Sequence, residues 1–161
     1  MTYIDSNEIA VTIEDARRSA TTVGLFTAQY PDLELDQAYD VMQRASMLRS
    51  AGTGAVPVGR KIGFTNTTIW DRYGVYAPIW GWMYADSMVL CEQPVAALAT
   101  GLFCQPRIEP EIVFGISHDV PRGVSGAEIA GFIDWVAFGF EVVQCHYPDW
   151  RLTAVDSVID G

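Results

Sequence analysis

The chain has 161 residues, half of them hydrophobic, and its twenty acidic and ten basic residues give a formal net charge of -10. This acidic surplus excludes the basic surface that binds nucleic acid and disfavours attachment to an anionic membrane. The sequence contains neither an apolar stretch of about 18 residues nor a basic start followed by an apolar run, so we expect no membrane span and no signal peptide.

The sequence predicts one domain that begins with a helical region over residues 1–56. A first helix, capped by Ser6 or Asn7, is expected to continue until just before Tyr30, which precedes a proline. A second helix is expected over residues 35–48, where apolar residues recur every three or four positions: Leu35, Ala38, Val41, Met42, Ala45 and Leu48.

The pattern changes at Pro57, and residues 57–161 are predicted to form a partial catalytic, β-rich region of the same domain. Ser125 and Glu128 have the spacing of a capping box, which predicts a short helix. Helices first and strands later indicate an α+β fold. Short strands are expected at residues 58–65, 79–84, 88–91, 107–116 and 135–145.

Two acidic residues, Glu109 and Glu111, are separated by one position in a predicted strand. Residues i and i+2 of a strand share a face with Cα atoms about 6.6 Å apart, so the carboxylates project together. Such a pair is unfavourable unless a cation or a proton relieves it. The alternative is a solvated strand face with Arg107 as partial counter-ion. The opposite face of the strand is apolar, as expected of a face that packs on a core, and carries Ile108, Ile112 and Phe114.

A third carboxylate, that of Glu141, lies in the apolar run 135–143. A charge in such surroundings is unfavourable unless it is paired or bound to a metal, and a salt bridge to Lys61 is the alternative. Lys61 alternates with Gly59 and Gly63 on one strand face, which leaves room for a small ligand. A lysine that extends into solvent is the competing interpretation.

The charges of these four residues suggest that they form one metal site. Three glutamates carry three negative charges, and one lysine with one divalent cation carries three positive charges. Ligation by oxygen alone favours Mg²⁺ or Mn²⁺ over zinc. Three protein ligands leave about half of an octahedral shell for water and substrate.

Isolated histidines and cysteines suggest no further site. His118 and His146 lie in loop-like sequence and are expected at the surface. The three cysteines are far apart and form no Cys-x-x-Cys pair, which predicts reduced, mostly buried thiols as in a cytoplasmic protein. They are Cys91, Cys104 and Cys145.

Several motifs together resemble the 2-keto-4-pentenoate hydratase and 4-oxalocrotonate decarboxylase group of the fumarylacetoacetate hydrolase superfamily. They are GRKIGFT at residues 59–65, EPE at 109–111, GFE at 139–141 and YPDW at 147–150. The resemblance runs in order through nearly the whole chain. It implies N-terminal helices packed on a mixed, curved β-sheet of the fumarylacetoacetate hydrolase type.

The resemblance also implies a reaction, which is hydration of small 2-oxo-enoic acids in aromatic-compound catabolism through a metal-stabilised enolate. The metal, Mg²⁺ or Mn²⁺, would be held by Glu109, Glu111 and Glu141. Lys61 would neutralise the substrate carboxylate or assist proton transfer. Decarboxylation of the 4-oxalocrotonate type and hydrolysis of a carbon–carbon bond, as in fumarylpyruvate, are alternatives on the same scaffold. A homo-oligomer, or association with a full-length family member, is expected.

Two departures from the family pattern qualify this expectation. Ile79 stands where many family hydratases carry an acidic residue, which favours decarboxylation. Family chains normally continue past the stretch that matches the end of this one, so we expect a sheet incomplete at its C-terminus or an inactive truncated paralogue that serves as a partner subunit. In that case an apolar surface would be exposed, formed by Trp135, Phe138, Phe140, Val142 and residues 155–159.

Overall fold

A computed structural model describes residues 4–93 and 95–161. The chain divides into two compact units, which we call the helical unit (Met1–Gln105 and Cys145–Gly161) and the hairpin unit (Pro106–Gln144). Each unit combines helices with one antiparallel sheet, so the expected α+β class is confirmed.

Apart from short 3-10 helices, the described residues of the helical unit form four α-helices and two strands in its first part and one α-helix in its second. These are α1 (Ser6–Ser19), α2 (Phe26–Gln29), α3 (Leu35–Thr53), β1 (Pro57–Gly63), α4 (Trp70–Tyr73), β2 (Ile79–Tyr84) and α6 (Ala154–Asp160). The hairpin unit contains β3 (Arg107–Ile116), α5 (Gly126–Ile129) and β4 (Ile133–Val143). Strand β1 pairs with β2, and β3 pairs with β4, both antiparallel.

Helix α1 is shorter than the pattern predicts. Its cap is Asp5, whose side chain accepts hydrogen bonds from two backbone N–H groups of the first turn. Ala20 adopts a left-handed conformation (φ 51°), and the N–H of Thr21 closes the helix on the carbonyl of Ala16. The prediction of one helix to Tyr30 was therefore wrong, because this closure separates α1 from α2.

Helix α3 confirms the predicted periodicity and extends it to Thr53. A capping box between Glu34 and Gln37 begins the helix, and Gly54 ends it with φ 75°. The helix contacts both α1 and α6. Its buried face consists mainly of residues that the spacing selects: Ala38, Val41, Met42, Ala45 and Ser46.

Helix α6 belongs to the core of the helical unit. Val158 and Ile159 are each 1% exposed, so the expectation that residues 155–159 are exposed was wrong. The segment forms a helix and buries one face, in a cluster that also includes Ile9, Ile13, Phe26, Val41 and Tyr147.

One predicted strand, at residues 88–91, is not a strand in the structure. Val89 and Leu90 are exposed. The apolar run predicted a strand, but a strand also requires a neighbouring backbone to satisfy its hydrogen bonds. Strand β1 likewise ends at Gly63, before residue 65, because Phe64 turns the backbone with φ 56°.

The apolar face of the β3–β4 hairpin is exposed within the described structure. We expected Ile108, Ile112 and Phe114 in the core, yet each is at least half exposed. The prediction that Phe138 and Phe140 are exposed is confirmed, at 94% and 74%. Strand alternation correctly assigned these residues to one face but does not report what covers that face.

Asp156 is fully buried and links the N-termini of α2 and α6. One carboxylate oxygen accepts hydrogen bonds from the backbone N–H groups of Phe26 (3.0 Å) and Thr27 (3.2 Å). The other accepts from the hydroxyls of Thr27 (2.6 Å) and Thr153 (2.8 Å). The backbone N–H of Thr153 also donates to this second oxygen at 3.4 Å. The buried charge is therefore satisfied by five donors near helix N-termini, where a negative charge is favoured.

Asp156→Ala is expected to lower the free energy of unfolding by roughly 3 kcal/mol, because hydrogen bonds to a charged acceptor are strong and buried donors would lose their partner. Urea unfolding followed by circular dichroism measures the change. Asp15→Ala is the control, since Asp15 pairs with Arg18 on an exposed face, and its loss should amount to less than about 1 kcal/mol. A similar small loss in Asp156→Ala would contradict the structural role.

Candidate metal centre

The register of β3 against β4 determines which side chains of the hairpin share a face. Glu109 pairs with Glu141, and Glu111 pairs with Gly139. Paired residues point to the same side of a sheet, and alternate residues of one strand do as well. All three glutamates therefore project from one face, opposite the exposed apolar face.

The three carboxylates converge, as the sequence predicts. One oxygen from each of Glu109, Glu111 and Glu141 lies within 4.8 Å of the others. Glu109 and Glu111 are exposed, and Glu141 is half-buried. Among residues 4–93 and 95–161, this is the one group of three or more histidine, cysteine or acidic side chains that comes close enough to hold a metal ion.

The chemistry of this donor set suits a hard divalent cation. Carboxylate oxygens are the ligands that Mg²⁺, Ca²⁺ and Mn²⁺ prefer, whereas zinc sites generally include nitrogen or sulfur. Three negative charges at this spacing repel one another, and a doubly charged cation between them converts the repulsion into attraction. The arrangement therefore fits the kind of ion that the sequence predicts.

Lys61 lies in the helical unit, on β1. It is half-buried and pairs with Gly81 across the β1–β2 sheet. Arg60 projects from the other face, where its guanidinium lies 4.6 Å from the ring centre of Trp80 and 5.2 Å from that of Trp82. Lys61 and Arg60 therefore lie on opposite faces of β1, as consecutive residues of a strand do.

Gly81, the residue opposite Lys61 on β2, is a feature that the strand pattern did not single out. It is buried and lies between Trp80 and Trp82 in a strand of large residues. A glycine inside such a strand can mark a close approach of another group to the backbone. That signal was available in the sequence, but the pairing with Lys61 appears only in the register.

The second histidine was placed wrongly at the surface, since His146 is fully buried. Its Nδ1 lies 2.5 Å from an oxygen of Asp160, and its backbone N–H donates to the other oxygen at 2.9 Å. The pKa of the neighbouring Tyr147 hydroxyl lies far above its usual value. Burial is the largest cause, and the negative charge of Asp160 is the next largest. The two contacts between His146 and Asp160 hold α6 against the segment that follows β4.

His118, in contrast, is exposed as expected.

None of the described helices is both long enough and apolar enough to cross a membrane. No family model matches the chain.

Individual proteins do match the sequence. The chain is 32% identical over 148 residues to 2-hydroxyhexa-2,4-dienoate hydratase of Comamonas testosteroni, a match that covers 91% of this chain and 55% of the relative. It is 30% identical over 156 residues to 2-hydroxypent-2,4-dienoate hydratase of Pseudomonas putida, with 96% and 69% covered. The chain thus spans between about half and two thirds of the length of these relatives.

Solved structures show the same fold. Two structures of 4-oxalocrotonate decarboxylase from Pseudomonas putida G7 each cover 99% of this chain. The complex with magnesium and adipate has a TM-score of 0.86 at 24% identity, with 61% of its chain covered. The complex with calcium and acetate has a TM-score of 0.84 at 25% identity, with 59% covered. Sequence and fold agree, and the chain belongs to the family of 2-keto-4-pentenoate hydratases and 4-oxalocrotonate decarboxylases.

Proposed function

We propose that this chain belongs to a divalent-metal-dependent hydratase that acts on small 2-oxo-enoic acids and their 2-hydroxydienoate forms in aromatic-compound catabolism. The observation that carries the proposal is the convergence of Glu109, Glu111 and Glu141 within 4.8 Å on one face of a hairpin. The names of the two hydratase relatives support the substrate class.

Glu109, Glu111 and Glu141 would hold the cation, and we propose Mg²⁺ or Mn²⁺. The magnesium and calcium complexes of the decarboxylase structures support a hard divalent ion. When bound, such an ion supplies Lewis acidity toward the oxygens of a 2-oxo acid. The glutamates themselves fix the position of the ion, because both strands that carry them are paired along their length.

Lys61 would neutralise the carboxylate of the substrate or assist proton transfer. The chain carries a formal charge of -10, so a small anion is repelled at long range unless the site supplies its own positive charge. Lys61 is the only lysine in the sequence. Lys61 lies on a strand and is half-buried, which limits the directions in which the ammonium can point.

We propose that the strands belong to the curved, mixed sheet of the fumarylacetoacetate hydrolase type and that residues 57–161 form part of the catalytic region. The likeness to the decarboxylase fold supports this assignment. We further propose that the protein works as a homo-oligomer or with a full-length family member, for which the exposed apolar face of the hairpin is a suitable contact surface.

Decarboxylation is the second candidate reaction, and Ile79 favours it. Many family hydratases carry an acid at this position, whereas here the side chain is apolar and 7% exposed. An acid that transfers a proton needs a titratable group, which isoleucine lacks. Both reactions use the same binding mode for the 2-oxo acid, so the carboxylate triad supports each of them.

Products distinguish the two reactions. The purified protein, incubated with Mg²⁺ and a panel of 2-oxo-enoates, is expected to yield products that have gained one water. Loss of carbon dioxide would favour the second candidate, and cleavage into two acids would indicate hydrolysis of a carbon–carbon bond. Mass spectrometry reads all three outcomes, and a chelator should stop the reaction. Absence of any product across the panel would contradict the proposed activity.

Glu109→Gln is expected to weaken Mg²⁺ binding by roughly tenfold or more, because a ligand loses its charge while keeping its size. Isothermal titration calorimetry measures the affinity. Asp134→Asn is the matched control, since Asp134 is an exposed acid on β4 outside the triad. The Mg²⁺ affinity of this variant should equal that of the wild type. Unchanged affinity in Glu109→Gln would remove Glu109 from the site.

Lys61→Met removes a charge while keeping a long side chain, and kcat/KM is expected to fall roughly 100-fold. Mg²⁺ affinity should stay near the wild-type value, so a steady-state assay and calorimetry together separate the two roles. Arg60→Met is the control, because Arg60 lies on the other face of β1 against Trp80. Normal turnover in Lys61→Met would leave the lysine as a structural counter-ion.

A further inference from the structure

Gly81 lies directly beneath the side chain of Lys61. The two residues are partners across the β1–β2 sheet, and paired residues project to the same side. A Cβ atom placed on Gly81 would lie 2.9 Å from Cε and 3.5 Å from Cγ of Lys61. The stem of the lysine therefore lies along the bare backbone of Gly81, which is buried.

Other glycines of the same sheet do not show this closeness. A Cβ atom on Gly59 would approach the side chain of Met83 no closer than 3.7 Å, and one on Gly63 would lie 3.6 Å from Ile79. Both are ordinary van der Waals distances. The requirement for glycine is therefore confined to the position opposite the lysine.

We propose that Gly81 is a positioning residue, which holds the Lys61 side chain across β2 and thereby sets where its ammonium meets the substrate. A lysine side chain has many rotamers, and a fixed path over the neighbouring strand removes most of them. The importance of this position for catalysis rests on the proposed function, whereas the position itself rests on the contacts alone.

Gly81→Ala tests the proposal. The added methyl meets the mobile end of a flexible side chain, so Lys61 is expected to move while the strand pairing stays. The methyl would also lie 3.2 Å from the backbone carbon of Gly161, which requires a shift of only a few tenths of an ångström. Because the chain has one lysine, protein labelled with ¹³C-lysine gives a single Cε resonance that reports on this side chain.

In the wild type, we expect the two Hε protons of Lys61 to have distinct chemical shifts, as in a side chain held in one conformation. In Gly81→Ala they should merge into the averaged signal of a freely rotating lysine. Gly59→Ala, whose methyl does not approach the lysine, should keep the wild-type signal. A wild-type signal in Gly81→Ala, or an averaged signal in the wild type, would overturn the proposal.

Turnover adds a readout that a merely structural role would not change. Gly81→Ala should lower kcat roughly 10- to 100-fold at unchanged Mg²⁺ affinity and thermal midpoint, and should have no additional effect in a Lys61→Met background. Wild-type turnover in Gly81→Ala would overturn the positioning role. A wild-type protein without Mg²⁺-dependent turnover would overturn the proposed function, and the lysine resonance would still decide whether Gly81 holds the side chain.

Discussion

Repulsion among the carboxylates of Glu109, Glu111 and Glu141 is the constraint on which the chemistry of the hairpin depends. Two unit charges about 5 Å apart repel by about 1 kcal/mol in water, and by more where water is excluded. The two strands cannot move apart to reduce this repulsion, because their pairing continues along β3 and β4 on both sides of the carboxylates. A divalent cation bound between the carboxylates would relieve the repulsion, and the paired strands would form its rigid support.

Strand register converts a sequence pattern into this arrangement. A shift of one residue in β4 would turn Glu141 to the opposite face and bring an apolar side chain opposite Glu109. The irregularity in the pairing, between Gly115 and Ile116, lies beyond the three glutamates and leaves their register intact. The register of the β1–β2 sheet likewise determines a contact, because it places Gly81 opposite Lys61, and the lysine side chain lies over this glycine.

The parts of the molecule that local sequence rules govern could be predicted, and the parts that distant contacts govern could not. Alternation along β3 was sufficient to bring Glu109 and Glu111 together, and the period of α3 identified its buried face. The burial of His146 depends on Asp160, and that of Asp156 on α2, more than a hundred residues earlier. No periodicity reports such partners, so these groups could not be recognised as structural.

The metal centre is tested most directly by a crystal structure of the protein grown with Mn²⁺, with data collected to reveal anomalous scattering. One anomalous peak is expected within bonding distance of an oxygen from each of Glu109, Glu111 and Glu141. A peak at other residues, or carboxylates turned away from one another with no ion between them, would contradict the claim that this hairpin face is a metal centre.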